Sequence, residues 1–186
     1  MLDHADRWNA APDWATARLT GKNVAIRNIA LPEQALISGD LAAFAGAAGM
    51  DATGVGAFGR TEGEVYTVRL ARDRLLAVGA LYEGIREGWN EAGFAVTATS
   101  GADHVFELSG DGLSDLLARA TTCDPTGSSP SAAIGFAAVP AVAYRHGDAL
   151  RVHVERGLAV YVWTWLDTVL KEQSIVKAER RTQRAL

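Results

Sequence analysis

Two stretches of the chain carry the same device. "ISGDLAAFAGAAG" begins at Ile37 and "LSGDGLSDLLARA" at Leu108. Each is the end of a strand, then Ser-Gly-Asp, then an amphipathic helix, and Ser38 and Ser109 lie 71 residues apart. Downstream, "VRLARDRLLAVGALYEGIREGW" parallels "VAYRHGDALRVHVERGLAVYVWTW" as strand, short turn ending in Asp, strand, tryptophan-bearing helix. Asp73 and Asp148 are 75 apart, so the halves stay in register within four residues. Self-similarity at a fixed spacing marks a repeated supersecondary unit. The predicted fold class is α+β, a duplicated strand–helix–strand–strand–helix unit whose antiparallel or mixed sheets carry helices packed on them.

Seven segments read as strands, being short, rich in valine, threonine or aromatics, and bounded by turn residues. They are 23–31, 64–70, 74–78, 94–100, 104–108, 140–145 and 149–155. Helical spacing appears at Leu41, Phe44, Ala45 and Ala48, at Leu81, Tyr82, Ile85 and Trp89, at Leu113, Leu116, Leu117 and Ala120, and from Leu158 onward. Asp40 and Asp111 precede the first helix of each copy and are read as N-caps, each carboxylate accepting orphan backbone N–H groups. The hairpins turn at Asp73 and at Gly147-Asp148. These boundaries divide the chain into an extension (1–22), one domain (23–170) of two related lobes (about 23–92 and 93–170), and a basic tail (171–186). The Gly-, Ser- and Pro-rich stretch 121–133 is a long surface loop within the second lobe.

Charge excludes some partners. The net charge is −4, which gives no reason to expect nucleic acid. The tail from Lys171 carries +3, and its plainest reading is a solvated helix extension. Cys123 is the sole cysteine, so an intrachain disulfide and a Cys-based zinc site are both excluded. No run of about 18 apolar residues exists, so no membrane-spanning helix is expected. The N-terminus lacks the basic-then-apolar order of a secretory signal, and a cytoplasmic location is expected.

No catalytic constellation emerges. "GVGAFG" (54–59) matches G-x-G-x-x-G, but a dinucleotide loop must follow a strand and open a helix. Here a helix precedes and a strand follows, so the motif is read as a plain loop. The four histidines have no metal-binding spacing, and no nucleophile elbow or Cys–His pair is present. His153 shares strand parity with Arg151, opposite Leu150, Val152 and Val154, and is read as facing away from the core.

The last helix carries two tryptophans two places apart, which cannot share a face. A stripe of Leu158, Tyr161, Val162, Trp165, Leu166 and Val169 puts Trp165 in the core. Trp163 then points outward beside Val160, and the two are predicted to form a partner interface. On that phase Trp163→Ala should spare folding, and Trp165→Ala should cost roughly 3–5 kcal/mol.

With these residues in view, the second half resembles the gamma subunit of heterotetrameric sarcosine oxidase. The resemblance rests on "VFELSGDGLSDLLARATTCD" (105–124) and "ALRVHVERGLAVYVWTWL" (149–166), and the order of elements from about 23 to 170 agrees. It implies a fold like the folate-binding domain of aminomethyltransferases. It further implies a non-catalytic subunit acting in assembly and stability, partnered by alpha, beta and delta subunits. This chain would then hold no cofactor, with flavins, NAD, tetrahydrofolate and zinc on the partners. "SGADH" (100–104) and "SAAIGFAAVPAV" (131–142) depart from the family's pattern. A rival reading is a stand-alone tetrahydrofolate-binding aminomethyltransferase-like protein, with Arg60, Arg69 and Arg145 available to the glutamate tail.

Overall fold

The computed structural model describes residues 11–21, 23–79 and 85–184, with side chains to residue 172. Twelve strands and three helices are present among them. β1 (Arg18–Thr20), β2 (Ala25–Ile29) and β3 (Gln34–Gly39) lead into α1 (Leu41–Ala48). β4 (Arg60–Thr61), β5 (Tyr66–Ala71) and β6 (Arg74–Val78) complete the first half. β7 (Gly88–Asn90), β8 (Phe94–Ala98) and β9 (Asp103–Ser109) lead into α2 (Leu113–Ala120). β10 (Ala133–Phe136), β11 (Val139–His146) and β12 (Ala149–Glu155) follow, then a 3-10 turn (Arg156–Leu158) and α3 (Ala159–Arg184).

The duplication is more complete than the sequence shows. One sheet runs β1-β2-β9-β12-β11-β10, with β4 also on β11, and the other runs β5-β6-β3-β8-β7. Matching elements of the two halves therefore occupy matching places, with one exchange. β2 pairs with β9 of the second half, and its counterpart β8 pairs with β3 of the first. Each half thus lends its first long strand to the other's sheet. The predicted lobes, 23–92 and 93–170, accordingly do not coincide with the two sheets.

The exchange explains the Ser-Gly-Asp device. Gly39 and Gly110 both have φ near +105° (+105° and +111°), where L residues rarely sit. A methyl on Gly39 would meet the Gly93 carbonyl at 2.6 Å, and one on Gly110 the Asn23 carbonyl at 2.2 Å. Gly93 and Asn23 each lead into the strand lent by the other half. Glycine is needed there because the backbones nearly touch.

Four layers result. α2 and α3 cover one face of the larger sheet through Phe106, Leu108, Leu150 and Val152. Its other face meets the smaller sheet through Val142, Tyr144, Val68, Leu76 and Val78. α1 closes the far side on Ile37, Leu75, Phe94 and Val96. The predicted core positions Leu41, Phe44 and Ala48 are buried, as are Leu113, Leu116, Leu117 and Ala120. Of the helix expected around Leu81 and Tyr82, those two residues lie outside the described ones. Trp89, placed on its buried face, instead sits exposed in β7.

Of the residues read as an extension, 11–21 are described, and they pack on the domain. β1 pairs with β2, and Trp14 packs on the helix-covered core. At the other end α3 continues through Arg184, so the tail is helical. "GVGAFG" is a strap between the sheets. Val55 N–H donates to Thr67 O and Arg69 N–H to Val55 O on the smaller sheet. Ala57 donates to Ser131 O in the loop before β10, and Phe58 to Ala143 O on the larger one.

Candidate functional site

Trp163 is not on the surface. It is 8% exposed within the core, its ring 5.4 Å from Phe106 and edge-on to Trp14 at 5.7 Å. The buried stripe of α3 is Ala159, Val162, Trp163, Leu166, Val169 and Leu170, rotated from the predicted one. Tyr161, assigned to the core, is exposed and donates its hydroxyl to Ala137 O at 3.0 Å. Trp165 is half-buried, edge-on to Phe136. Val160 is half-buried too, so the expected outward pair does not exist. Trp163 packs instead between Phe106 of the larger sheet and Trp14 of the N-terminal segment.

The two predicted caps part company. Asp40 caps α1, its Oδ1 accepting from Ala43 N–H at 2.9 Å. Asp111 makes no such bond, because the extra Gly112 takes the cap position of α2. Gly112 N–H donates to Asn23 O at 2.9 Å instead. One inserted residue has moved the helix start beyond the carboxylate's reach.

Most of the chemistry-bearing side chains meet between the sheets. Strand parity puts Arg27, Glu107, Arg151, Tyr144 and His153 on one face of the larger sheet, and that face is covered by the smaller sheet. His153 is therefore buried rather than solvent-facing. Glu107 accepts from Arg27 Nε at 2.9 Å and also from its Nη2. Arg151 Nε reaches the second Glu107 oxygen at 3.3 Å. Burial alone would raise the Glu107 carboxyl, but the bonds and charges of Arg27 and Arg151 outweigh it and hold it below its usual range.

From Arg151 a chain of hydrogen bonds crosses the seam. Arg151 Nη1 donates to Tyr66 OH at 2.8 Å, Tyr66 OH pairs with Tyr144 OH at 2.9 Å, and Tyr144 OH pairs with His153 Nε2 at 3.0 Å. Asp103 Oδ2 lies 3.8 Å from His153 Nδ1, too far for a bond but close enough to favour a proton there. His153 Nε2 then accepts from Tyr144, and Tyr144 accepts from Tyr66. Burial pushes the His153 pKa down and the Tyr144 hydroxyl far up, so both stay neutral.

Nearby, Thr61 Oγ1 donates its one proton to Arg145 O, so His146 Nδ1–H must donate to Thr61 at 3.1 Å. Two of the arginines offered for a folate tail are committed elsewhere. Arg69 donates to the carbonyls of Ala52, Thr53 and Arg72, and Arg60 to Gly147 O and Asp148. Arg151, which lies in the seam, was read as outward-facing, and only the presence of a second sheet reveals its place. Among the described residues no group of three or more His, Cys, Asp or Glu is placed to hold a metal ion, and no helix is long and apolar enough to cross a membrane.

The fold has a solved counterpart. One chain of the heterotetrameric sarcosine oxidase from Corynebacterium sp. U-96, in complex with pyrrole 2-carboxylate, superposes with a TM-score of 0.64 at 17% identity. The match covers 83% of this chain and 88% of that one. Comparison with curated protein sequences finds no match. The profile of the sarcosine oxidase gamma subunit family matches residues 70–172, from β5 into α3, which is more than half of the sequence. The chain belongs to the sarcosine oxidase gamma subunit family.

Proposed function

We propose that this gamma subunit is a non-catalytic member of a sarcosine-oxidase-like flavoenzyme complex and acts in its assembly and stability. The family match over residues 70–172 carries the reading. Its partners are alpha, beta and delta type subunits, and the flavins, NAD, tetrahydrofolate and zinc sit on them rather than on this chain. The complex oxidatively demethylates sarcosine or a related N-methyl amine in the cytoplasm. What supports a packing role is that the polar groups of the seam are spent on one another: Glu107 bonds Arg27, Tyr144 bonds Tyr66 across the sheets, and buried His153 bonds Tyr144 on the adjacent strand.

The surface this reading needs is on the smaller sheet. Trp89 is 65% exposed on β7, an edge strand among the described residues, and an outward tryptophan on a sheet edge suits burial by another chain. Trp89 takes the anchor role expected of Trp163. Affinity isolation of the tagged chain from its own cells should recover larger, flavin-absorbing subunits in fixed ratio. Elution alone as a monomer would refute the proposal. The stand-alone folate reading is not favoured, and titration with tetrahydrofolate to high micromolar should release no heat.

A further inference from the structure

We infer that the cavity at the mouth of the seam between the sheets is a binding site for a small amphipathic monocarboxylate, held by Arg151. The cavity measures about 510 Å³ and is walled by Leu31, Pro32, Val65 and Tyr66 on its apolar side, with Arg151 and His146 on its polar side. That volume suits a small organic molecule, and the mixture of an apolar wall with a few polar groups is what such sites use.

Arg151 carries the argument. Its side chain is 13% exposed, so its charge is largely removed from water. Of five guanidinium N–H groups, one goes to Glu107 and one to Tyr66. The remaining three are donors in a fork suited to a carboxylate. Its charge is also poorly matched within the protein. Among the described residues the one carboxylate bonded to Arg151 is Glu107, which bonds Arg27 through two nitrogens and Arg151 only at 3.3 Å, while Glu64 stands apart at the exposed rim. A buried cation so weakly compensated is stabilised by an anion from outside.

The remaining walls set the chemical class. Tyr66 and His146 stand with rings 5.1 Å apart, tilted by 39°, and offer an aromatic surface to a planar or branched body. Because His146 spends its Nδ1–H on Thr61, its Nε2 is left as an acceptor for one donor on the ligand. Glu64 lies exposed at the rim and disfavours a second negative charge. One carboxylate, an apolar body and at most one donor is the ligand so described. The inference stands apart from the assembly role and would survive its failure.

The test uses the full chain, in whichever assembly it is isolated, and benzoate as probe, with benzamide as the neutral isostere. Binding is followed by saturation-transfer NMR. Benzoate should saturate below about 10 mM, the range that ligand efficiency allows so small an acid, and benzamide should bind at least tenfold more weakly. Arg151→Gln should cost at least tenfold in benzoate affinity. Because that variant also touches the seam, Leu31→Trp is made in parallel; it fills the cavity, leaves the charges intact and should abolish binding. Equal binding of the two probes, no saturation by benzoate, or unchanged affinity in folded Leu31→Trp would each overturn the assignment.

Discussion

At the scale of single residues, the packing of Trp163 decides what its loss costs. Truncation to alanine opens a cavity against Trp14 and Phe106 and should destabilise the chain by about 3–5 kcal/mol, measured by denaturant unfolding. A loss below about 1 kcal/mol would return Trp163 to the surface. Trp89→Ala should change stability by no more than about 0.5 kcal/mol, yet reduce recovery of partner subunits on affinity isolation. The sequence misled here for an identifiable reason. From Leu158 to Trp163 every residue is apolar, so the predicted and observed stripes share Val162, Leu166 and Val169 and differ in Leu158, Tyr161 and Trp165 against Ala159, Trp163 and Leu170. Periodicity cannot choose a phase when both faces are greasy. The observed phase places Trp163 against Phe106 and against Trp14, the latter in a segment with no strand signal of its own. Asp111 fails similarly, because one glycine separates it from a helix whose sequence otherwise copies the capped one.

At the scale of elements, hairpins and glycine contacts were the legible parts. The predicted strands 74–78 and 149–155 coincide with β6 and β12, since both are valine- or leucine-rich runs set off by an Asp-containing turn. β10 was missed because its turn carries no turn residues. Ala137 and Ala138 link β10 to β11 with φ of 49° and 64°, the two positive values of a type I′ turn normally given to Asn and Gly. Ala137 is buried, but Ala138 is exposed, so Ala138→Gly should relieve strain without a packing loss. A gain of about 0.5–1 kcal/mol in unfolding free energy is expected, and a loss would mean that the turn is not strained. Gly110→Ala is the converse case. Its new methyl would sit 2.2 Å from the Asn23 carbonyl, where only backbone movement gives relief, and should cost at least about 1–3 kcal/mol. The short strands β1, β4 and β7 had no sequence signal because two or three residues show no alternation.

Across the whole molecule, the exchange of β2 and β8 makes each sheet depend on both halves, so the domain should unfold as one cooperative unit despite its internal repeat. The repeat was legible because its Ser-Gly-Asp glycines are held by sterics; the exchange was not, because either half's first strand pairs as well in sequence terms with its own neighbour. The pH response comes from both faces of the larger sheet: His153 and His146 lie on the face toward the smaller sheet, and His104 packs on Trp14 and Phe106 on the helix-covered one. His153 is fully buried with its pKa pushed down, and partial burial lowers His104 and His146 in the same direction. A histidine whose folded pKa is depressed binds its proton more readily in the unfolded chain. Its stabilising contribution is therefore complete above the unfolded value of about 6.5 and is lost as pH falls through the folded value. Glu107, also depressed, adds a loss of the same sign in the carboxylate range. Unfolding free energy measured from about pH 8 down to about pH 5 should thus hold level and then decline, by at most about 1.4 kcal/mol per pH unit for each histidine. In His153→Gln, which keeps a polar partner for Tyr144, the decline below about pH 6.5 should flatten. If the variant's slope matches the parent's, His153 is protonated alike in both states, and the seam is open to water where the packing shows it closed.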